Sequence, residues 1–356
     1  MFVTMNKSFF LLVLLTHAFL SVDAQNDKKN KLTLNGFGEL YYSYDFDNPV
    51  NREKSDFIYN HKRHNEANAN LLLLKARYEA DWFRANLGVM TGNYAHYNLA
   101  SEPEWARILY EANLGIKISK KQNLWIDAGI LPSHIGFESA ISADCWTLTR
   151  SILAENSPYY ETGLKLSYSN NKENLNLAFL ILNGWQRIRS PSFLDNPAVG
   201  VQINYKPTDK IVVNYSNFVG KQTFDTFSSL RTFHNFYVQY ETETKFDFIL
   251  GFDIGTDKYD ETNYGVWYSP VGIVRYRWNP KIRIAARAEY YNDGNQIIVA
   301  TNSNDGFRVA GVSTNFDYMI TKFMQCRIEG KAYYSEERLF NNGTNYSLTT
   351  NLTFKL

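Results

Sequence analysis

Cysteine is nearly absent. The 356-residue chain holds two, Cys145 and Cys326, too few for the disulfide framework that staples small secreted domains. No CxxC pair, Cys/His cluster at zinc spacing or haem-attachment motif occurs. An excess of charge of one sign is missing as well. Lys and Arg number 37 against 36 Asp and Glu, a formal net charge of +1, so nothing points to nucleic acid as a partner. Long apolar runs are missing beyond one N-terminal segment, and a bundle of membrane helices would need several runs of about 20 residues each. Proline is sparse at 9, while aromatics make up 16% of the chain. That balance excludes disorder and favours strands separated by turns.

The N-terminal segment reads as a secretion signal. Lys7 supplies a positive start, Phe9–Leu20 a short apolar core and Val22-Asp23-Ala24 a small-residue cleavage site. The expected organisation is therefore a cleaved signal over residues 1–24, a short segment over 25–31 and one folded unit over 32–356.

Beyond residue 30 the hydrophobic period is two. In Leu32–Phe46 the even positions carry Leu32, Leu34, Leu40, Tyr42 and Tyr44, and the odd ones Thr33, Asn35, Glu39, Ser43 and Asp45. Strict alternation marks a strand with one apolar and one polar face. Its span of about 15 residues far exceeds the usual strand of about 5–6. The pattern recurs at Phe83–Val89, Ala112–Ile118, Tyr160–Tyr168, Phe246–Ile254, Ile282–Tyr290 and Met324–Tyr334, and it closes the chain at Tyr346–Leu356. Seven short connections alternate with eight long ones, among them Pro132–Pro158, Gly220–Thr232 and Gly255–Pro270. That rhythm predicts an all-β, antiparallel transmembrane β-barrel of about 16 strands, with long extracellular loops and short periplasmic turns. Aromatics at strand ends (Tyr42, Tyr44, Phe46, Trp82, Phe83, Trp278, Tyr290, Tyr291, Tyr333 and Tyr334) suit the interfacial girdles of such barrels. One stretch is irregular. Asn68 and Asn70 share the parity of Leu72 and Leu74, which calls for a bulge in Leu71–Leu74 or for asparagines above the membrane.

The stretches LWIDAGILPSHIGFESA (Leu124–Ala140), WTLTRSILAENSPYYETG (Trp146–Gly163) and NGWQRI (Asn183–Ile188), with GFGELYYSYDF near the N-terminus, resemble the OmpL-like β-barrel porins of Gram-negative bacteria. The resemblance implies an outer-membrane porin. It brings no catalytic residue set, cofactor or named solute. The expected partners are outer-membrane lipid, small hydrophilic solutes and ions, and the barrel-assembly machinery during biogenesis; association into a homo-oligomer stays open.

Two groups of residues are candidates for a pore. The longest connection, Pro132–Pro158, mixes Glu138, Asp144, Arg150 and Glu155 with many apolar residues. A loop bathed in water does not need them, so it is expected either to fold into the lumen as a constriction or to form an outer cap or a contact between protomers. On the inward parity of the later strands lie Arg275, Arg277, Arg283, Arg287, Arg327 and Lys331, an expected lumen charge wall facing the acids of that loop. Lys75, Arg77, Arg84 and Lys117 form a second basic group. His61, His64 and His134 read as surface or loop histidines, without a third ligand for a metal. His234-Asn235 lacks the serine nucleophile that an outer-membrane phospholipase would need, so no enzyme is expected. Loop aromatics such as Tyr94, Tyr97, Trp105, Trp185, Tyr264, Trp267 and Tyr268 offer ring faces to sugars, although an interfacial girdle would explain most of them. The reading is a passive channel, with a non-conducting barrel for adhesion, display or assembly as the rival.

Overall fold

In a computed structural model of the chain, residues 30–190, 197–223, 227–301, 305–336, 339–340 and 343–356 are described. The expected signal over residues 1–24 lies outside them. Among the described residues, sixteen antiparallel strands close into one barrel, each paired with its neighbours in sequence. They are β1 (Lys31–Asp45), β2 (Ala67–Glu79), β3 (Phe83–Thr91), β4 (Leu109–Lys117), β5 (Asn123–Pro132), β6 (Tyr160–Ser169), β7 (Leu175–Leu182) and β8 (Ala198–Thr208), followed by β9 (Ile211–Thr223), β10 (Ser228–Glu241), β11 (Phe246–Lys258), β12 (Tyr264–Asn279), β13 (Ile282–Asp293), β14 (Phe307–Met319), β15 (Met324–Tyr334) and β16 (Thr344–Lys355). The last strand pairs with the first over Phe37↔Lys355 to Asp45↔Ser347. No sheet edge is left open, which is what a spanning sheet requires in hydrocarbon.

The period of two sets the two faces. Leu250 is 67% exposed and Asp253, three positions on, only 3%. Along β14 Val312 and Phe316 point outward while Ser313, Asn315 and Asp317 are buried inside. An ordinary soluble fold would bury the apolar face; here that face is the outer surface.

Turns at one end are short and built from polar side chains. Asn279 accepts from the backbone N–H of Lys281 and Ile282 at 2.8 and 2.9 Å, and Asn170 accepts from Asn174 and Leu175, the local bonding that makes asparagine a turn former. At the other end two connections are shorter than the sequence suggests. Strand pairing takes in Gly220–Thr223 and Ser228–Thr232, and Gly255–Lys258 and Tyr264–Pro270. Pro270, Tyr264, Trp267 and Tyr268 therefore belong to β12 rather than to a loop.

The irregular stretch in β2 resolves as a bulge one residue earlier than expected. Glu39 pairs with Leu71 and Leu40 with Ala69, so Asn70 is the extra residue. It is buried, donating from Nδ2 to Glu39 at 2.9 Å and accepting from the His61 backbone N–H at 3.0 Å.

The girdle expectation needs one correction. Trp82, Trp278, Phe46 and Tyr334 are exposed on the outer face, but Tyr291 and Tyr333 point inward and are buried. They join Phe57, Phe307 and Phe340 in an apolar cluster inside the loop end of the lumen. The cause is parity. A tyrosine beside another tyrosine on a strand must face the opposite side.

Candidate pore and its inner loop

The β5–β6 connection, residues 133–159, folds into the lumen. Its neck is closed by the Ser133 N–H donating to the Tyr159 carbonyl at 3.1 Å. His134 then turns to the wall, with Nδ1 2.8 Å from Glu161 on β6 and Nε2 2.8 Å from the Asn217 carbonyl on β9. Two wall glycines admit the loop. A Cβ on Gly200 would stand 2.7 Å from the His134 ring, and one on Gly251 2.7 Å from the Phe137 ring. The Gly136 N–H donates to Asn235 on β10 at 3.2 Å.

The far side of the loop is gripped by β13, β14 and β15. Backbone N–H groups of Leu148, Thr149 and Ile152 donate to Asn315, Glu329 and Glu289 at 3.1, 2.6 and 2.6 Å. Arg287 donates to Thr147 Oγ1 and the Thr149 carbonyl, both at 2.7 Å, and pairs with Glu289 and Glu329 at 3.2 Å. Arg327 pairs with Asp317 at 2.6 Å and donates to the Ser142 carbonyl at 2.8 Å. Lys331 reaches the Arg150 carbonyl at 3.2 Å. From β1, which closes the barrel beside β16, Glu39 accepts from Ser142 Oγ at 2.7 Å. The loop is thus bonded across the lumen from β6, β9 and β10 to β13–β15 and β1. Without this grip each buried loop amide would be an unpaired polar group, at a cost of about 1–3 kcal/mol.

The four loop residues singled out in the sequence have different roles. Glu138 is buried 3.8 Å from Arg287 and accepts the Ser151 N–H at 3.1 Å; burial pushes its carboxyl above the usual carboxylate range against the pull of Arg287. Asp144 does not face the arginine wall through an ion pair but pairs with Lys355 at the turn end. Arg150 is no pore charge. It is fully buried and donates to the carbonyls of Ser139, Leu148 and Ala140 at 2.6, 2.8 and 3.0 Å, bracing the loop from within. Glu155 turns away from the wall and accepts the Tyr59 and Asn60 backbone N–H groups at 2.9 and 3.1 Å, tying in the β1–β2 loop.

The six wall bases also divide. Arg287, Arg327 and Lys331 hold the loop. Arg275, stacked 4.0 Å from the centre of the Trp146 ring and paired with Asp247 at 2.8 Å, and Arg277, paired with Asp247 at 3.0 Å, stand nearer the turns. Arg275 and Arg283 line a turn-end cavity of about 270 Å³ together with Glu138, Asp144, Glu241 and Asp317. A second turn-end cavity of about 300 Å³ is lined by Lys75, Arg77, Arg84 and Lys165 with Glu111 and Asp127. A third, of about 360 Å³, lies at the loop end beside Glu155 and Asn156. The inner loop lines both the first and the third.

Over residues 31–356 the chain matches the model of one family, described as "Putative beta-barrel porin-2, OmpL-like". The chain belongs to this porin family. Among solved structures the porin is similar in fold to an anion-selective porin from Comamonas acidovorans, at TM-score 0.62 and 7% identity, over 92% of this chain and 100% of that one. It is similar to the outer membrane channel DcaP of Acinetobacter baumannii at TM-score 0.60 and 11% identity, over 93% and 99%. The trimer form of OmpT of Vibrio cholerae matches at TM-score 0.57 and 10% identity, over 92% and 100%. No curated protein matches the porin.

Sequence reasoning missed several residues that hold the site. Glu39, Asn235 and Asn315 contact the inner loop across 103, 99 and 167 positions, and inward parity was the only local signal they carried. The histidines are buried rather than at the surface. His61 lies 2.9 Å from Glu39 and His134 faces Glu161. Tyr94 is buried too, while Trp105 is exposed. Among the described residues no group of three or more His, Cys, Asp or Glu could hold a metal ion.

Proposed function

We propose that this porin is a passive outer-membrane channel for small hydrophilic solutes and ions, constricted by the loop over residues 133–159, and that it has no enzymatic activity. The observation that carries this reading is the seating of that loop inside a closed sixteen-strand barrel. Sixteen strands enclose more space than wall side chains can fill, and an inserted loop sets the remaining width. Glu138, Asp144, Arg275 and Arg283 then supply charge beside the passage, while Arg150 and Glu155 hold the loop in shape. In this reading residues 1–24 are an export signal, both chain ends lie in the periplasm, the barrel-assembly machinery inserts the strands and the long loops face outward. Association of several copies is compatible with it.

One observation favours the rival of a non-conducting barrel. Phe57 and Ile58 of the first loop, Ile152 of the inner loop, Val299 and Phe340 pack with wall residues into an apolar cluster inside the loop end, where water would find no partners. Planar-bilayer recording separates the two. The channel reading expects discrete conductance steps that grow when Ser139–Ser151 is shortened. A silent wild type that stays silent after shortening would establish the non-conducting barrel.

A further inference from the structure

We propose that the loop-end cavity is a binding site for a neutral pyranose sugar; this deepens the channel reading by naming a solute class. The cavity, about 360 Å³, lies in the range of small-molecule sites, about 300–1,000 Å³. Three rings from three different connections border it: Tyr59, Tyr97 and Trp185. Lys62 stands 6.0 and 5.6 Å from the centres of the two tyrosine rings and so holds them as one unit. Arg231 sits 5.1 Å from the centre of the Trp185 ring. Half-buried rings of this kind offer apolar area together with a polar tip, which matches the C–H faces and hydroxyl rim of a sugar.

The polar lining separates a sugar from an ion. Its acid and its base are already engaged: Glu155 by the amides of the first loop, and Arg231 by Asp257 at 2.8 Å. Of its three carboxamides, Gln186 is engaged at both ends, accepting the Tyr159 N–H at 2.9 Å and donating to the Asn98 carbonyl at 3.4 Å; the other two are held by the same local device. In the helical turn α1 (Asn93–Asn98), Asn98 Nδ2 donates to the Tyr94 carbonyl at 3.2 Å. Just after the turn α2 (Ile152–Glu155), Asn156 Nδ2 donates to the Ile152 carbonyl at 2.9 Å. Each amide is fixed through its nitrogen, and neither oxygen takes a hydrogen bond among the described residues. Fixed neutral acceptors beside aromatic faces, with local charge balanced, suit hydroxyl donors on a ring. The two turn-end cavities, lined by four or more charged groups each, lack this chemistry.

The test is saturation-transfer difference NMR on the full chain folded in detergent micelles, with glucose and maltose as probes and mannitol and gluconate as controls. Transfer to the ring protons of the two sugars is expected, with little to mannitol, which has the hydroxyls without the ring, and little to gluconate, which lacks the ring and carries a charge. Trp185→Ala should weaken binding about tenfold, as the loss of one aromatic platform. Ser101→Trp, on the exposed rim, should abolish it by filling the cavity, and this variant decides the matter if Trp185→Ala does not fold. Absence of transfer, equal transfer to a control, or undiminished transfer in Ser101→Trp would overturn the site. Micelle binding needs no current. A barrel that binds glucose but never conducts refutes the channel and leaves the site, whereas a conducting barrel without transfer refutes the site and leaves the channel.

Discussion

The lumen carries bases on two sides, and the two sets do opposite things. On β13 and β15, Arg287 and Arg327 are buried, each meeting carboxylates of the wall and carbonyls of the inner loop. On β2, β3 and β6, Lys75, Arg77, Arg84 and Lys165 border the cavity of about 300 Å³, although Lys75 pairs with Glu111 at 2.7 Å and Arg84 with Asp127. The first set is a clamp and the second is a water-facing wall. Whether a charge on the inward face grips the loop or borders open space is decided by burial, not parity.

The sharpest way to break this contrast is to remove one clamp residue. Arg287→Met leaves Glu289 and Glu329 buried without their partner, an arrangement that costs about 3–5 kcal/mol. Guanidinium unfolding in micelles should show that loss, whereas Arg77→Met, half-exposed at the other wall, should stay within about 1 kcal/mol of wild type. Equal losses would erase the distinction. A second contrast sets the outer face against the inner. Leu250→Arg places a base against lipid and should cost about 2–4 kcal/mol, while Asp253→Asn, inside and beside Asn235, should fold and insert as wild type in a membrane-fractionation assay.

A third measurement asks which wall ions see. Reversal potentials in a salt gradient should move toward cation preference in Arg77→Glu, and more at low salt, because screening acts over about 8–10 Å at physiological strength. If Arg77→Glu leaves the potential unchanged, its cavity is not on the conducting path. The smallest expected effect concerns Lys54 of the first loop, which donates to Ser43 at 3.1 Å. Burial, helped by the nearby Lys331 ammonium, lowers its pKa from 10.5 to about 8. The folded state therefore disfavours the charged form. That penalty is complete below about pH 8 and is relieved between there and about 10.5, so stability should rise over this window. Lys54→Met should make the rise in pH-dependent unfolding shallower, and an identical profile in the variant would show that Lys54 is not among its sources.

The strand pattern was legible because alternation is local. Reading it requires no distant partner: Phe248, Leu250 and Phe252 declare an apolar face within five residues, and the closing segment at Tyr346–Leu356 declared its strand in the same way. Loop length was less legible. At Gly255–Pro270 the alternation continues through Trp267 and Tyr268, but a proline and several polar residues masked it. The site was legible only as a set of inward charges. Arg150 and Arg287 carry the same formal charge in the sequence, yet one braces the loop from within and the other grips it from the wall.

The sequence by itself determined the barrel: a two-residue period repeated along the chain fixes which side chains meet lipid and which face inward, since each strand's geometry is set by its own residues. Only the tertiary structure decided what the inward residues do. Closure brings Glu329 to the Thr149 amide across 180 positions and Glu289 to that of Ile152 across 137. Those contacts depend on where the inner loop lands, and that position is set jointly by the wall glycines, the carboxylates and the loop's own folding rather than by any one segment.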